Sequence, residues 1–285
     1  MSTAATGGVD LVVQGPSATR ADAAALAALS QANAVEPIGA GPTPAFRLRS
    51  PRARTGVVEA AVARQLDAVF VPTDRRLADV RIVSMDMDST LITIECIDEI
   101  ADLHGIKPQV ALITASAMRG EIDFRTSLER RVALLAGLPV DALQRVYDER
   151  LRLSPGAERM LERFHGAGAQ SLLVSGGFTF FTDRLKARVG LRHTLSNVLE
   201  IRDGKLTGRI VGEIVDARAK AGALRQLRAA LPPGIVVAIG DGANDLPLFR
   251  EADVSVAYRA KAIVRAEASH TLDFCGLDAV TNLFF

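Results

Sequence analysis

From residue 80 onward, apolar runs recur along the chain as RIVSM, QSLLVS, GIVVAIG, VSVAY and HTLDF. Runs this continuous suit strands covered on both faces, and such strands belong to parallel sheets. Helical stretches lie between them, among them GAERMLERFHGAG and AKAGALRQLRAAL. The alternation predicts an α/β fold, a doubly wound parallel sheet. One segment breaks the pattern. NVLEIRDGKLTGRIV carries Asp203-Gly204, a hairpin turn signal. Hydrophobic residues make up 48% of the 285 residues, enough for a sizeable core.

The span from about 95 to 153 holds no strand pattern. IDEIADLHG, PQVALITASAMRGE, DFRTSLERRVALLAG and PVDALQRVYDERL read there as helices. An insertion between the first and second strands of such a sheet would sit over the strand ends as a cap. Residues 1–79 read as a different unit. VDLVVQG is a strand, and TRADAAALAALSQ a helix opened by Thr19 as N-cap. AVEPIGA and AFRLRS are strands around the turn-like GPTP. TGVVEAAVARQLD follows as a helix and AVFVP as a strand. That order, βαββαβ, is the ferredoxin-like pattern. Pro72 and TDRRLADV put the boundary near 72–79. Residues 1–79 and 80–285 are expected to be domains that meet at an exposed linker with few crossing contacts.

Three strands end in reactive sequence. The first ends in Asp86-Met87-Asp88-Ser89-Thr90 and the second in Ser175-Gly176-Gly177. The third ends in Gly240-Asp241-Gly242-Ala243-Asn244-Asp245. In open α/β sheets, ligands bind beyond the carboxyl ends of the strands. Asp86 and Asp88 are two apart, so they point to roughly the same face. Carboxylates held close and out of water need a compensating charge. Oxygen ligands suit Mg²⁺, with Asp86, Asp241 and backbone near Asp88 as the donors. One carboxylate can attack phosphorus and form an aspartyl-phosphate. A second can protonate the leaving oxygen and then activate water. Asp88 would need a raised pKa for that work, and a neighbouring carboxylate pushes it upward. Ser175 and the N–H groups around Gly176 can cradle phosphate oxygens. Lys220, in the helix ahead of the third strand, can neutralise charge on the transferring group.

DMDST, SGG, the lysine and GDGAND, in that order, resemble the motifs of haloacid dehalogenase-type phosphatases. DSTLITIECIDEIA, AMRGEIDFRTSLERRVALL and GDGANDLPLF are similar to phosphoserine phosphatases, across about residues 80–265. The resemblance implies a HAD-like, Rossmann-type core with a helical cap, and an ACT-like reading of the first unit. It implies Asp86 as nucleophile and Asp88 as general acid/base. Mg²⁺ would be held by the Asp86 carboxylate, the Asp88 carbonyl and the Asp241 carboxylate. Ser175, Gly176, Lys220 and Asn244 would contact phosphate or substrate, and Asp245 would orient Lys220 or support the metal. Glu95 would meet the substrate ammonium and Arg131 its carboxylate, with Phe124 and Met118 closing the pocket. The substrate implied is O-phospho-L-serine, hydrolysed to serine and phosphate as the last step of L-serine biosynthesis. Phe124 and Arg131 are seven residues apart, about two helical turns, so they share a face. Arg130 is rotated about 100° from Arg131 and should face elsewhere.

The formal net charge is +1, which gives no argument for nucleic acid or an anionic membrane as partner. The basic RLRSPRAR reads as a polar loop. ADAAALAALS is too short for a signal sequence or a membrane span. Cys96 and Cys275 show neither metal-ligand spacing nor a disulfide framework, so a reduced, cytoplasmic protein is expected. Each motif alone has a plainer reading: a strand-end turn for the aspartates, a glycine turn, a solvated helix lysine. Their ordered recurrence at three strand ends favours chemistry. Two rivals stay open. One is a phosphatase or phosphotransferase acting on another small phosphorylated metabolite. The other is a non-catalytic metabolite sensor. A homodimer is also open to the chain.

Overall fold

The protein is described by a computed structural model over residues 8–39 and 41–285. It is built on two sheets. The first comprises β1 (Val9–Gln14), β2 (Ala34–Ile38), β3 (Ala45–Arg49) and β4 (Asp67–Pro72). Its order is β2-β3-β1-β4 with every neighbour antiparallel. Helices α1 (Arg20–Ser30) and α2 (Val57–Val62) cover one face, where Leu11, Val13 and Leu48 meet Leu26 and Val57. Thr19 caps α1 reciprocally. Its hydroxyl accepts from the Asp22 N–H at 3.1 Å, and the Asp22 carboxylate accepts from the Thr19 N–H at 3.0 Å.

The other face of this sheet departs from the expected loose linker. Strand alternation turns Val12, Val69 and Val71 away from the helices and into the apolar core of the second sheet. A 3₁₀ helix, Leu277–Leu283, covers that face. Arg47 donates to the carbonyls of Asn282 (3.1 Å) and Phe284 (2.9 Å). Asp67 accepts from the backbone N–H groups of Asp273 (2.8 Å), Phe274 (3.2 Å) and Cys275 (2.9 Å). The Asn282 amide donates to Gln14 at 2.8 Å. A face of alternating valines and buried polar groups cannot be left to water, so the two units share one interface.

The second sheet comprises β5 (Val80–Met85), β6 (Gln170–Phe178), β7 (His193–Arg202), β8 (Lys205–Val211), β9 (Ile235–Gly240), β10 (Val254–Tyr258) and β11 (His270–Leu272). Its order is β11-β10-β9-β5-β6-β7-β8. All pairs are parallel except the β7–β8 hairpin. That hairpin turns at Asp203 and Gly204, both with positive φ (49° and 71°), as a two-residue turn of this hand requires. The start of β7 pairs parallel with β6, and its later residues pair antiparallel with β8. From β5 the chain builds outward through β6, and from β9 outward through β10. The carboxyl ends of β5 and β9 therefore mark the switch point where ligands bind in open sheets.

Between β5 and β6 lie α3 (Cys96–Leu103), α4 (Lys107–Met118), α5 (Phe124–Ala133) and α6 (Asp141–Arg145). The insertion leaves at Ile92 and returns at Leu153, which pair as an antiparallel bridge. The β7–β8 hairpin tip props it from the side. Gly137 N–H donates to the Leu206 carbonyl, and Leu206 N–H to the Leu138 carbonyl, both at 2.8 Å. Helices α7 (Ala157–Gly166), α8 (Thr179–Val189), α9 (Ala217–Ala229), α10 (Leu246–Arg250) and α11 (Ala262–Glu267) complete the second unit. Among the described residues, no helix is long and apolar enough to cross a membrane.

Candidate active site

Asp86 directly follows β5, and its N–H donates to the Ile239 carbonyl of β9 at 3.1 Å. The residue is 6% exposed. One carboxylate oxygen accepts from the Met87 N–H at 2.7 Å. The other accepts from Lys220 Nζ at 2.6 Å and from the Asn244 amide at 3.0 Å. Lys220 arrives from the first turn of α9, whose N-cap, Asp216, accepts from the Ala219 N–H. Lys220 also donates to Asp245 at 3.0 Å. Burial works against the lysine charge, but Asp86 and Asp245 outweigh it and raise the pKa above its usual value. Asp245 is fully buried and also receives the Gly242 N–H.

Carboxylate oxygens of Asp86, Asp241 and Asp245 lie within 4.8 Å of one another. Burial, then the charge of Asp86, pushes the Asp241 pKa upward. Three carboxylates face the Lys220 ammonium, with Lys261 near Asp241, so carboxylates outnumber ammonium groups in the cluster. That surplus, on hard oxygen donors, fits a divalent cation. The Asp88 carboxylate lies outside the trio. Thr90, which the sequence reading passed over, donates its hydroxyl to Asp241 at 3.0 Å. Its place two residues after Asp88, in the same strand-end loop, was the available signal.

Asp88 accepts from the Cys96 N–H at 3.0 Å, at the start of the cap. Its pKa is pushed up to about 8, first by burial and then by the charge of Glu95, against the Cys96 hydrogen bond. Glu95 accepts from the Ser89 hydroxyl at 2.7 Å, and burial raises its pKa as well. Burial disfavours the Arg131 charge, whereas Asp98, Glu95 and Asp88 support it. Ser175 accepts the Gly177 N–H at 2.8 Å. Two glycines are dictated by close approach. A Cβ on Gly176 would lie 2.9 Å from the Phe124 ring, and one on Gly177 would lie 2.9 Å from an Asp88 oxygen.

These groups surround one cavity of about 360 Å³. Its walls include Asp86, Asp88, Asp241, Ser175, Gly176 and Asn244 from the sheet rim, and Glu95, Phe124 and Arg131 from the cap side. Thr114 and Lys261, unforeseen in the sequence, also line it. Lys220 and Asp245 stand behind Asp86 rather than on the wall. Met118 does not reach the cavity. It is 73% exposed and lines an adjoining groove that shares Thr114, Phe124, Arg131 and Asn244 with the cavity. It is the last residue of α4, and the chain turns at Gly120, so Thr114, one turn earlier, takes the wall instead.

The family model of the haloacid dehalogenase-like hydrolases matches residues 83–250. A phosphoserine phosphatase from Polaromonas sp. is 50% identical over 217 residues, covering 74% of this chain and 92% of that protein. The crystal structure of a probable phosphoserine phosphatase from Vibrio cholerae, in unliganded form, superposes with a TM-score of 0.85 at 37% identity. That match covers 96% of this chain and 85% of the other. A phosphoserine phosphatase solved as a phospho-aspartyl intermediate analogue gives a TM-score of 0.67 at 33% identity, covering 73% of this chain and 100% of that one. The chain belongs to the phosphoserine phosphatases, within the haloacid dehalogenase-like hydrolases.

Proposed function

We propose that this enzyme is a Mg²⁺-dependent phosphatase that hydrolyses O-phospho-L-serine through an aspartyl-phosphate on Asp86. The observation that carries the reading is the make-up of the cavity. Asp86, Asp88, Ser175 and Asn244 stand on its sheet side, and Glu95 and Arg131 on its cap side. One side suits a phosphate bound with a cation. The other offers an anion for an ammonium and a planar fork for a carboxylate.

In this reading the Asp86 carboxylate attacks phosphorus, and the bond from phosphorus to the serine oxygen breaks. Asp88, protonated near neutral pH by its raised pKa, gives its proton to that leaving oxygen. Asp88 then takes a proton from water as the water attacks the aspartyl-phosphate, which frees phosphate and restores Asp86. Lys220 and Asn244 hold the Asp86 carboxylate in one orientation for both steps. A divalent cation held by the Asp86 carboxylate, the Asp88 carbonyl and the Asp241 carboxylate would neutralise phosphate charge. We take that cation to be Mg²⁺, which prefers a few carboxylates plus phosphate and water. The reading carries with it a cytoplasmic setting and a place at the end of L-serine biosynthesis.

The test is phosphate release from L-phosphoserine and from phosphoethanolamine, with Mg²⁺ and with a chelator, for wild type and Arg131→Ala. Wild-type turnover should need Mg²⁺. Arg131→Ala should lose about 2–5 kcal/mol of transition-state binding for phosphoserine, as truncating a buried charge pair does. It should lose much less for phosphoethanolamine, which lacks the carboxylate, and Arg130→Ala should be mild for both. Equal losses on the two substrates would mean that Arg131 serves the fold or the phosphate, and the serine reading would fall.

A further inference from the structure

Asn197 lies on β7 and is 1% exposed. A buried amide needs partners for both its donor and its acceptor. Its Nδ2 donates to the Gly176 carbonyl and its Oδ1 accepts from the Val215 N–H, each at 2.8 Å. Gly176 lies in the last part of β6, which faces the catalytic cavity. Val215 stands just before Asp216, the cap of the helix that carries Lys220. One side chain, itself off the cavity wall, therefore ties two catalytic segments together.

The ladder between β6 and β7 shifts register between Val174 and Phe178. The β6 stretch Ser175-Gly176-Gly177 thus falls where regular strand pairing is interrupted, and the Asn197 amide supplies an anchor there. In a trans peptide the carbonyl and the following N–H point in opposite directions. Holding the Gly176 carbonyl on the Asn197 side turns the Gly177 N–H the other way, onto Ser175 Oγ at 2.8 Å. A hydroxyl carries one proton and accepts through its lone pairs. With an N–H donated into it, Ser175 keeps its own proton to give to an acceptor in the cavity.

We propose that Asn197 is a positioning residue for phosphoryl transfer. Through the Gly176–Gly177 peptide it directs the Ser175 hydroxyl at the phosphate, while the Val215 N–H holds the Asn197 amide itself in that orientation. The inference rests on the reading above only in taking Ser175 as a phosphate contact. The test is a double-mutant cycle of Asn197→Ala and Ser175→Ala, on the full chain with Mg²⁺. It uses both p-nitrophenyl phosphate and phosphoserine, below the lowest melting midpoint of the set. Asn197→Ala should lower kcat about 10- to 100-fold, as loss of a supporting hydrogen bond does elsewhere. The double variant should be little worse than Ser175→Ala, because both changes remove the same act. Losses that multiply would make Asn197 a structural residue and overturn the proposal.

Asn197→Asp gives a second arm and stands in for Asn197→Ala if that variant does not fold. It keeps the shape and the acceptor for Val215 but loses the donor to Gly176. It should lose activity as the alanine variant does, and near-wild-type kcat would overturn the proposal. Loss of fold in both variants would overturn it too. A wild type active on p-nitrophenyl phosphate but silent on phosphoserine would sink the substrate reading and leave this cycle intact.

Discussion

Two clusters of buried charge in this molecule look alike by composition and differ in balance. At the rim of the second sheet, Asp86, Asp241 and Asp245 face Lys220, with Lys261 near Asp241, beside an open cavity. At the seam between the two sheets, Asp67 sits in a nest of three backbone N–H groups. Arg47 there holds two carbonyls, with its guanidinium 3.5 Å from the centre of the Phe285 ring. Both clusters take charge out of water, which costs several kcal/mol per ion unless partners compensate. The seam meets most of its charge with the protein's own main chain, and so it specifies how two surfaces dock. Arg47 Nη1 lacks a hydrogen-bond partner among the described residues, in a guanidinium stacked on Phe285. The rim leaves negative charge unmet, and so it has affinity to spend on something not part of the chain. Burial of charge alone therefore does not mark function. Surplus charge next to open volume does.

The sharpest way to break this contrast is Asp86→Asn. A neutral amide cannot form an aspartyl-phosphate, so turnover should vanish. The melting temperature should hold or rise, because one of three crowded carboxylates loses its charge while Lys220 keeps Asp245. Substantial activity in a carefully purified variant would take the nucleophile's role away from Asp86. Asp88→Asn should follow, with a loss of about 10²–10⁴-fold in both chemical steps. An aryl phosphate, whose leaving group needs no proton, should show a burst of product before a slow steady rate. Steady turnover on phosphoserine like that of wild type would count against Asp88.

At the seam the prediction has the opposite character. Asp67→Ala leaves three inward N–H groups without their acceptor, and each such loss costs about 1–3 kcal/mol. Water entering the space will recover part of this, so the expected destabilisation is about 3–5 kcal/mol in denaturant midpoint multiplied by slope. The kcat of the folded fraction should stay as in wild type. A variant equally stable but slower would mean that the seam communicates with the rim. The same interface bears on the first unit. Removing residues 1–79 would bare Arg47's carbonyl partners and the apolar surface beneath Val12, Val69 and Val71. The truncated chain is expected to melt lower than the full one.

The rim was readable in the sequence because its parts are local. Each apolar run ends directly in its chemistry, so Asp86, Ser175 and Asp241 needed only the rule that strand ends gather ligands. The βαββαβ order was readable for the same reason: periodicity and turn residues sit inside each element. The seam was not. Asp67 looked like the tail of a helix, and its partners lie more than 200 positions away. Nothing in DFCGLD announces a nest of N–H groups. Met118 stands in the adjoining groove rather than on the cavity wall, at the end of α4 just before the turn at Gly120. Asn197 stood unnoticed within a hairpin reading because its work depends on a break in the ladder between β6 and β7.

The smallest effect expected concerns the seam and pH. His270, on the edge strand β11, meets Arg75 from the connection between the two units, with 2.8 Å between Arg75 Nη1 and His270 Nε2. A guanidinium is always a donor, so Nε2 is the acceptor and the ring is neutral with its proton on Nδ1. Burial, then the charge of Arg75, lowers the His270 pKa to about 4. The unfolded chain takes up this proton near the ordinary value of about 6.5. Above that pH neither state carries the proton, and the contribution to stability is complete. As the pH falls from about 6.5 to about 4, the unfolded state binds more protons, so stability drops. Below about 4 both states are protonated and the loss ends, at roughly 3 kcal/mol. His270→Gln keeps an acceptor for Arg75 without a titrating ring. Unfolding free energies of the two proteins, compared from pH 7 to pH 4, should converge toward the acid end as wild type loses its share. Ordinary carboxylates titrate in both and cancel in the difference. Parallel curves would mean that His270 is no more guarded from protons in the folded chain than in the unfolded one.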